Sequence, residues 1–483
     1  ENYNYIIINY NYKMKVYKSL MQKGSRRSMR NLTQMPLRTF AGGGKIQKMD
    51  KDATEFDICV VGGLNATALT KFLQNEGAGW KMAIITDQSK FVIPELYFLC
   101  SHAAIKPLKL ESGSVASQVD ASSRVDANLR ATKIDPENSK IHVSNGKEYT
   151  YKTLVYAPGF DHRVDNIEGL RKFEDEGDQN QVFSHIVDKV DRMDRNYYHG
   201  FQQYNGDFIV YDPAFPFKDE GSSFYAFYYE YILRQDYLHG RSSDRDRIQY
   251  WTPNKEIFRF PYANEFALEE CDKRGIDVHF GYELIEVKYN EINEKIAVFK
   301  EVDTGKIIEK PFGGMSVNPT QKPQKEALDS GLTDENGLID VNPYTLQHKK
   351  YDNVFSFGSA TNLPTTRTQH ATMAQNPIVK HNVQRYLKGE SLNAIYDGYT
   401  FMPLLTGQTT ATSFQHLYDN EATPMNNVVP QHGIFGRLYF KYLLKNLVGT
   451  ASKYTGFKKN YGPPNWQFNP RYDEVEHNEY LQR

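Results

Sequence analysis

A chain of 483 residues is long enough for about two to four domains, and a 40% hydrophobic, 24% charged composition supplies a sizeable core. With 58 basic and 59 acidic residues the formal net charge is −1, which excludes a global field steering the chain to nucleic acid. Three cysteines, Cys59, Cys100 and Cys271, stand too far apart for a zinc pattern or a disulfide framework, as suits a reducing compartment, and no run of about 18 apolar residues marks a membrane span.

Residues 1–13, ENYNYIIINYNYK, are low in complexity and read as no folded element. From Met14 to Met49 nine Lys and Arg occur with no Asp or Glu. A basic, acid-free stretch that stops just before the first strand reads as a mitochondrial targeting segment; a plain basic tail is the alternative. Residues 56–68, FDICVVGGLNATA, predict a buried strand, a turn at Gly62 and Gly63, and a helix from Ala66. Strand, glycine turn and helix open a dinucleotide-binding βαβ unit, whose bare N–H groups at the helix start hold a pyrophosphate. The pattern asks for glycine at Gly62, Leu64 and Thr67, and only the first has it. The next strand ends AIITD, so the acid that takes ribose hydroxyls in such units is due at Thr86, with Asp87 one place late. Strands follow at 140–143 and 149–156, the second leaving through a sharp turn at Pro158 and Gly159.

A second unit opens at 207–211 and continues with a helix over 222–238, a strand at 246–251, a helix over 264–274, a strand at 278–280 and a β-meander over 283–302. It too lacks a Gly-rich turn, having Tyr211-Asp212-Pro213 instead. A strand at 354–357 leads to Gly358 and Ser359, and a helix over 372–387 follows. In 434–448, Ile434, Phe435, Leu438, Leu443 and Leu447 fall on one side at helical spacing and Arg437, Lys441 and Lys445 on another. Such a basic amphipathic helix either lies on an anionic membrane or packs on a core. From Tyr461 the chain is rich in proline and aromatics and reads as an extended arm.

These runs resemble one family, the mitochondrial sulfide:quinone oxidoreductases. The resemblance is carried by VVGG at 60–63, TYKTLVYAPG at 150–159, PAFPFKDEG at 213–221, VNPYTLQH at 341–348, YDNVFSFGSATNLPT at 351–365 and DGYT at 397–400. In this order and spacing they cover about 56–458. The resemblance implies an α/β fold of two Rossmann-like domains of the FAD/NAD-linked reductase type, with a C-terminal membrane-associating helical region. The expected layout is a targeting segment at 1–50, an FAD-binding-like domain from 51–165 with 310–395, a second Rossmann-like domain at 166–309, a docking region at 396–459 and a tail at 460–483.

The family's chemistry uses FAD, two redox cysteines and membrane quinone. Carried over position by position, the phosphate turn departs at Leu64 and Thr67, the ribose acid is missing at Thr86, and the Gly-Asp pair that meets the cofactor reads Gly358-Ser359. The two cysteine positions hold Asp219 and Met402, neither of which supplies a thiolate. The expectation is a catalytically inactive member with no cofactor and no metal, serving as an accessory subunit of a mitochondrial inner-membrane, respiratory-chain complex on the matrix side. Its partners would be other subunits and inner-membrane lipid, met through Ile434, Phe435, Leu438, Leu443 and Leu447 and through Trp466, Phe468 and Tyr472 of the arm. Two alternatives stand beside it: an active FAD-dependent quinone-reducing enzyme with altered substrate, and a nucleotide- or quinone-binding module without turnover.

Overall fold

The first strand, β1 (Glu55–Gly62), is apolar on both faces because Phe56, Ile58, Cys59, Val60 and Val61 are all buried, the pattern of a central parallel strand. The structure, a computed structural model, describes residues 50, 52–75, 79–87, 90–92, 111–114, 123–175, 182–184, 206–215, 248–318, 320–405 and 411–418. β1 runs into α1 (Leu64–Asn75), which starts two residues before the expected Ala66, and the chain returns as β2 (Met82–Thr86) with Val60 opposite Ile84. A small hairpin, β3 (Lys90–Val92) and β4 (Glu111–Ser114), precedes β5 (Ser123–Ala127), which extends the sheet beyond β2. Then β6 (Ala131–Asp135), β7 (Lys140–Val143) and β8 (Glu148–Ala157) form an antiparallel meander. Its last strand lies parallel to β1, on the side opposite β2.

After β9 (Asp161–Arg163) and the short α2 (Leu170–Asp175), a second sheet is built from β10 (Val182–Ser184), β11 (Phe208–Tyr211), β12 (Ile248–Thr252), β13 (Asp277–Phe280) and β17 (Gly314–Val317). All its pairs are parallel, in the order β10-β17-β11-β12-β13. Helix α3 (Pro261–Arg274) lies between β12 and β13. It begins three residues before the expected 264, because Pro261 takes the first helical position, where its missing N–H costs nothing. An antiparallel meander, β14 (Tyr282–Tyr289), β15 (Lys295–Glu301) and β16 (Ile307–Pro311), covers one face. Strand period sorts the second sheet's side chains: Phe208, Val210 and Tyr250 join the main core, while Ile209, Tyr211 and Trp251 pack with Leu284, Val287 and Phe299 of the meander.

The chain then re-enters the first sheet. β18 (Thr320–Lys322) pairs with β9, α4 (Lys325–Asp329) follows, and β19 (Val354–Phe355) pairs with β8. The strand expected over 354–357 stops at Phe355, since the Ser356 N–H bonds to the Leu346 carbonyl rather than to the ladder. Helix α5 (Gln369–Leu387) packs on α1. It starts three residues before the expected 372 because Thr368 caps it, accepting from the Ala371 N–H at 3.1 Å. The hairpin of β20 (Thr400–Leu405) and β21 (Ala411–His416) closes the described chain. The helix expected at 222–238 lies outside the described residues, as do the amphipathic 434–448, the arm from 461 and the basic segment before Met49. Among the described residues no helix is long and apolar enough to cross a membrane.

Candidate functional site

In the first sheet the strand order reverses at β1, with β2 on one side and β8 on the other. A doubly wound sheet opens its ligand crevice at the carboxyl ends of the strands at such a point. Gly62 stands there at φ +140°, and a Cβ on it would lie 2.2 Å from the Ala157 carbonyl oxygen, so no other residue fits between β1 and β8. Thr67, at the third glycine position, is buried, and its hydroxyl and backbone N–H both donate to the Gly63 carbonyl at 3.1 Å. Thr70 repeats the motif one turn on, donating to Ala66 O at 3.0 Å. Helix α1 thus rests on the sheet with a hydroxyl where the binding pattern has bare backbone. Leu64 is the first residue of α1, and its side chain lies outside what the structure describes. Thr86 ends β2 fully buried, and Asp87 after it is exposed.

A group that no pattern in the sequence pointed to lines the same crevice. Arg130, from the link between β5 and β6, donates through Nη2 to Asp161 Oδ2 at 2.7 Å and to Gln324 Oε1. Its Nε lies 3.8 Å from Glu326 Oε1, and Gln324 Nε2 donates to Asp161 Oδ1 at 3.2 Å. Burial pushes the Glu326 carboxyl above its ordinary range against the pull of Arg130. Gly62, Thr86, Asp87 and Pro158 face Arg130, Gln324 and Glu326 across a cavity of about 20 Å³, room for little more than one water. Asp87 and Glu326 line the cavity, and with Asp161 bonded to Arg130 they leave this wall little free positive charge to offer a pyrophosphate. The Gly62 cradle fits a dinucleotide; the buried Thr67 and the acids do not.

The structure brings the two later glycine positions together. Gly159, at φ +71°, would place a Cβ 3.9 Å from Ser359 Oγ. Beside them Gly358, Thr361, Thr365, Arg367, Thr372 and Gln375 surround a hollow of about 10 Å³. Three of its polar groups bond to the protein itself: Gly358 N–H donates to Gln375 Oε1 at 2.8 Å, Thr361 to Gly358 O at 2.7 Å, and Thr365 to Gly398 O at 3.0 Å.

Met402, the second cysteine position, sits elsewhere. It is buried on β20 directly opposite Phe414 of β21. The Phe414 ring packs on Phe266, Tyr262 and Phe258 at 5.4, 5.7 and 6.5 Å between centroids, so the thioether position belongs to an aromatic core. Asp219 and Cys100 lie outside the described residues, as do Ile434, Phe435, Leu438, Leu443, Leu447, Trp466, Phe468 and Tyr472. Cys59 and Cys271 are buried thiols; burial drives the first far above its ordinary value and pushes the second up to about 12, which removes both as nucleophiles. In the second sheet the switch point is likewise closed: the Asp212 carboxylate accepts from Tyr250 Oη at 2.7 Å and from Asn318 Nδ2 at 3.1 Å, and Pro213 after it carries no N–H. No cluster of three or more metal-ligating side chains occurs among the described residues.

No family model matches the chain. It is 28% identical to the mitochondrial sulfide:quinone oxidoreductase of Schizosaccharomyces pombe over 292 residues, 60% of this chain and 61% of that protein's length. Against the mitochondrial sulfide:quinone oxidoreductase of Dictyostelium discoideum the identity is 28% over 347 residues, 70% of this chain and 72% of the relative. Among solved structures, a chain of the Tetrahymena thermophila mitochondrial ATP synthase superposes with a TM-score of 0.76 at 25% identity, covering 87% of this chain and all of that one. The sulfide:quinone oxidoreductase of Aquifex aeolicus superposes with a TM-score of 0.63 at 16% identity over 86% of this chain and 96% of that one, a likeness of fold. Gly62 at its crevice, the parallel sheets and these relatives together make the chain a homologue of the mitochondrial sulfide:quinone oxidoreductases.

Proposed function

We propose that this chain is a catalytically silent, cofactor-free homologue that serves as a structural subunit of a mitochondrial ATP synthase, held at the matrix side of the inner membrane. The observation that carries the reading is the likeness to a chain of the Tetrahymena enzyme along that chain's whole length. Met402 supports the silence. A buried methionine facing Phe414 cannot pair into the disulfide that sulfide attacks in the chemistry of the sulfide:quinone oxidoreductases. The acid-lined crevice supports the lack of flavin, and Asp219 at the other cysteine position supports the silence. In this reading 51–165 with 310–395 is a former flavin domain kept for its shape, 166–309 is its Rossmann-like companion, and 434–448 with the arm from Tyr461 makes the contacts to lipid and neighbouring subunits.

A flavin-bearing enzyme with altered substrate is the second reading, favoured by Gly62, which keeps the glycine of the tight turn after β1. One experiment separates the two. The tagged chain is isolated in mild detergent from mitochondrial membranes, run on a native gel, and its acid extract assayed for flavin. Co-migration with the ATP synthase and no flavin is the expected result. Migration alone with equimolar flavin would overturn the proposal.

A further inference from the structure

We infer that the segment from Gln324 to Asp329 is an internal strap that, through Arg130, occupies the adenosine end of the β1–β8 crevice and ties together the segments a bound dinucleotide would otherwise bridge. Arg130 joins three pieces of chain that are far apart in sequence: its own link between β5 and β6, Asp161 at the start of β9, and the turn into α4, where Gln324 lies 194 positions away. Gln324 is 5% and Glu326 7% exposed, so both side chains point inward. Across the gap stand Gly62, Thr86 and Pro158, the backbone that a dinucleotide would lie against.

The strap is itself held in place. Leu332 N–H reaches back to the Ala327 carbonyl, Ser330 Oγ donates to the Glu326 carbonyl, and α4 packs on β6. Gly337, at φ +79°, lets the chain pass over Pro323, whose Cγ would lie 2.9 Å from a Cβ there. An oriented guanidinium with two hydrogen-bond acceptors and a third polar partner, Glu326, at 3.8 Å makes stronger, more directional contacts in this half-buried site than an exposed ion pair. The strap thus supplies a reason for the crevice to stay ordered in a chain without flavin. The inference rests on the cofactor-free part of the reading above and is independent of which complex holds the chain.

Hydrogen–deuterium exchange of the purified full chain tests it, followed over 159–163 and 322–330. Arg130→Ala should raise exchange in both segments by about ten-fold, Arg130→Lys by less, and excess FAD should leave wild-type exchange unchanged. Unchanged exchange in Arg130→Ala would overturn the inference, as would slowing of wild-type exchange in either segment by FAD. Should Arg130→Ala fail to fold, Glu326→Gln keeps the side-chain shape and removes one ionic partner. A rise confined to 322–330 then supports the strap, and no rise sinks it. Failure to co-migrate with the ATP synthase would leave these exchange rates as they are, so the two ideas fail separately.

Discussion

His348 is buried and held in one tautomer. Its Nε2 donates to Leu332 O at 3.0 Å, and its Nδ1 accepts from the backbone N–H groups of Lys350 and Tyr351 at 3.0 and 3.2 Å. A second proton would face two donors, and burial already pushes the pKa below the ordinary 6.5. A depressed histidine favours the neutral form in the fold, so its contribution is full above about 6.5 and is lost as pH falls below it. His381, bonded to Asn393 Oδ1 at 2.8 Å and also shifted down by burial, adds the same sign. The urea midpoint should therefore fall between about pH 7 and pH 5, and His348→Gln should flatten that slope; an equal slope in the variant would refute the assignment. Gly62→Ala should cost at least about 2 kcal/mol, read from the same unfolding curves, because its Cβ would meet the Ala157 carbonyl. At this scale Gly62 was legible from the strand–glycine–helix pattern alone. Arg130 was not, since its partners lie 31 and 194 positions away and obey no periodicity.

Helix α5 shows what local signals give and what they miss. The body of the helix was read over 372–387, but the start was placed three residues late because Thr368 is one of several threonines in TNLPTTRTQHAT and nothing local singles it out as the cap. Its hydroxyl also lies 3.0 Å from Thr400 Oγ1, so the cap ties α5 to β20. Thr368→Ala should cost about 1–2 kcal/mol, with Thr368→Ser recovering most of it in a thermal melt; no recovery by serine would mean that the methyl group, not the cap, matters. The strands were read more faithfully. Lys140–Val143 falls on the expected residues, and β1 and β8 extend them by only a residue or so at each end, because runs of β-branched and aromatic residues bounded by Gly and Asn leave little choice. The third meander strand, Ile307–Pro311, escaped notice: IIEKP is short, ends in proline and alternates weakly.

For the molecule as a whole, the two Rossmann-like sheets were legible from strand–helix alternation, their strand order and the antiparallel β6–β8 edge were not, and the motif runs carried the resemblance that the mitochondrial relatives then bore out. Which assembly would hold the chain was not legible, because an interface is a property of two surfaces and one sequence displays a single one. The truncation after Lys459 tests that scale. It should leave a folded protein, with the melting behaviour of the full chain, that no longer migrates with a large complex on native gels. Full co-migration of the truncated chain would show that Trp466, Phe468 and Tyr472 are not the tether.

The edge of β8 that faces away from β1 is shared: β7 covers its start at Glu148–Thr150, and β19 covers Leu154 and Val155. The two covering strands are made at very different times. β7 precedes β8 immediately, whereas the contact of Ser356 with Tyr156 spans 200 positions. At 5–20 residues per second the ribosome needs about 10–40 s for that distance. Throughout that interval a nascent chain carries an unpaired, apolar strand edge, the kind that recruits a second copy. Fragments ending before Val354 should aggregate when released from the ribosome, and fragments ending after Leu387 should stay in solution. Equal solubility of the two would mean that another segment shields the edge first. Order of synthesis, set by where two residues of β19 sit in the chain, then fixes how long this edge waits for its cover.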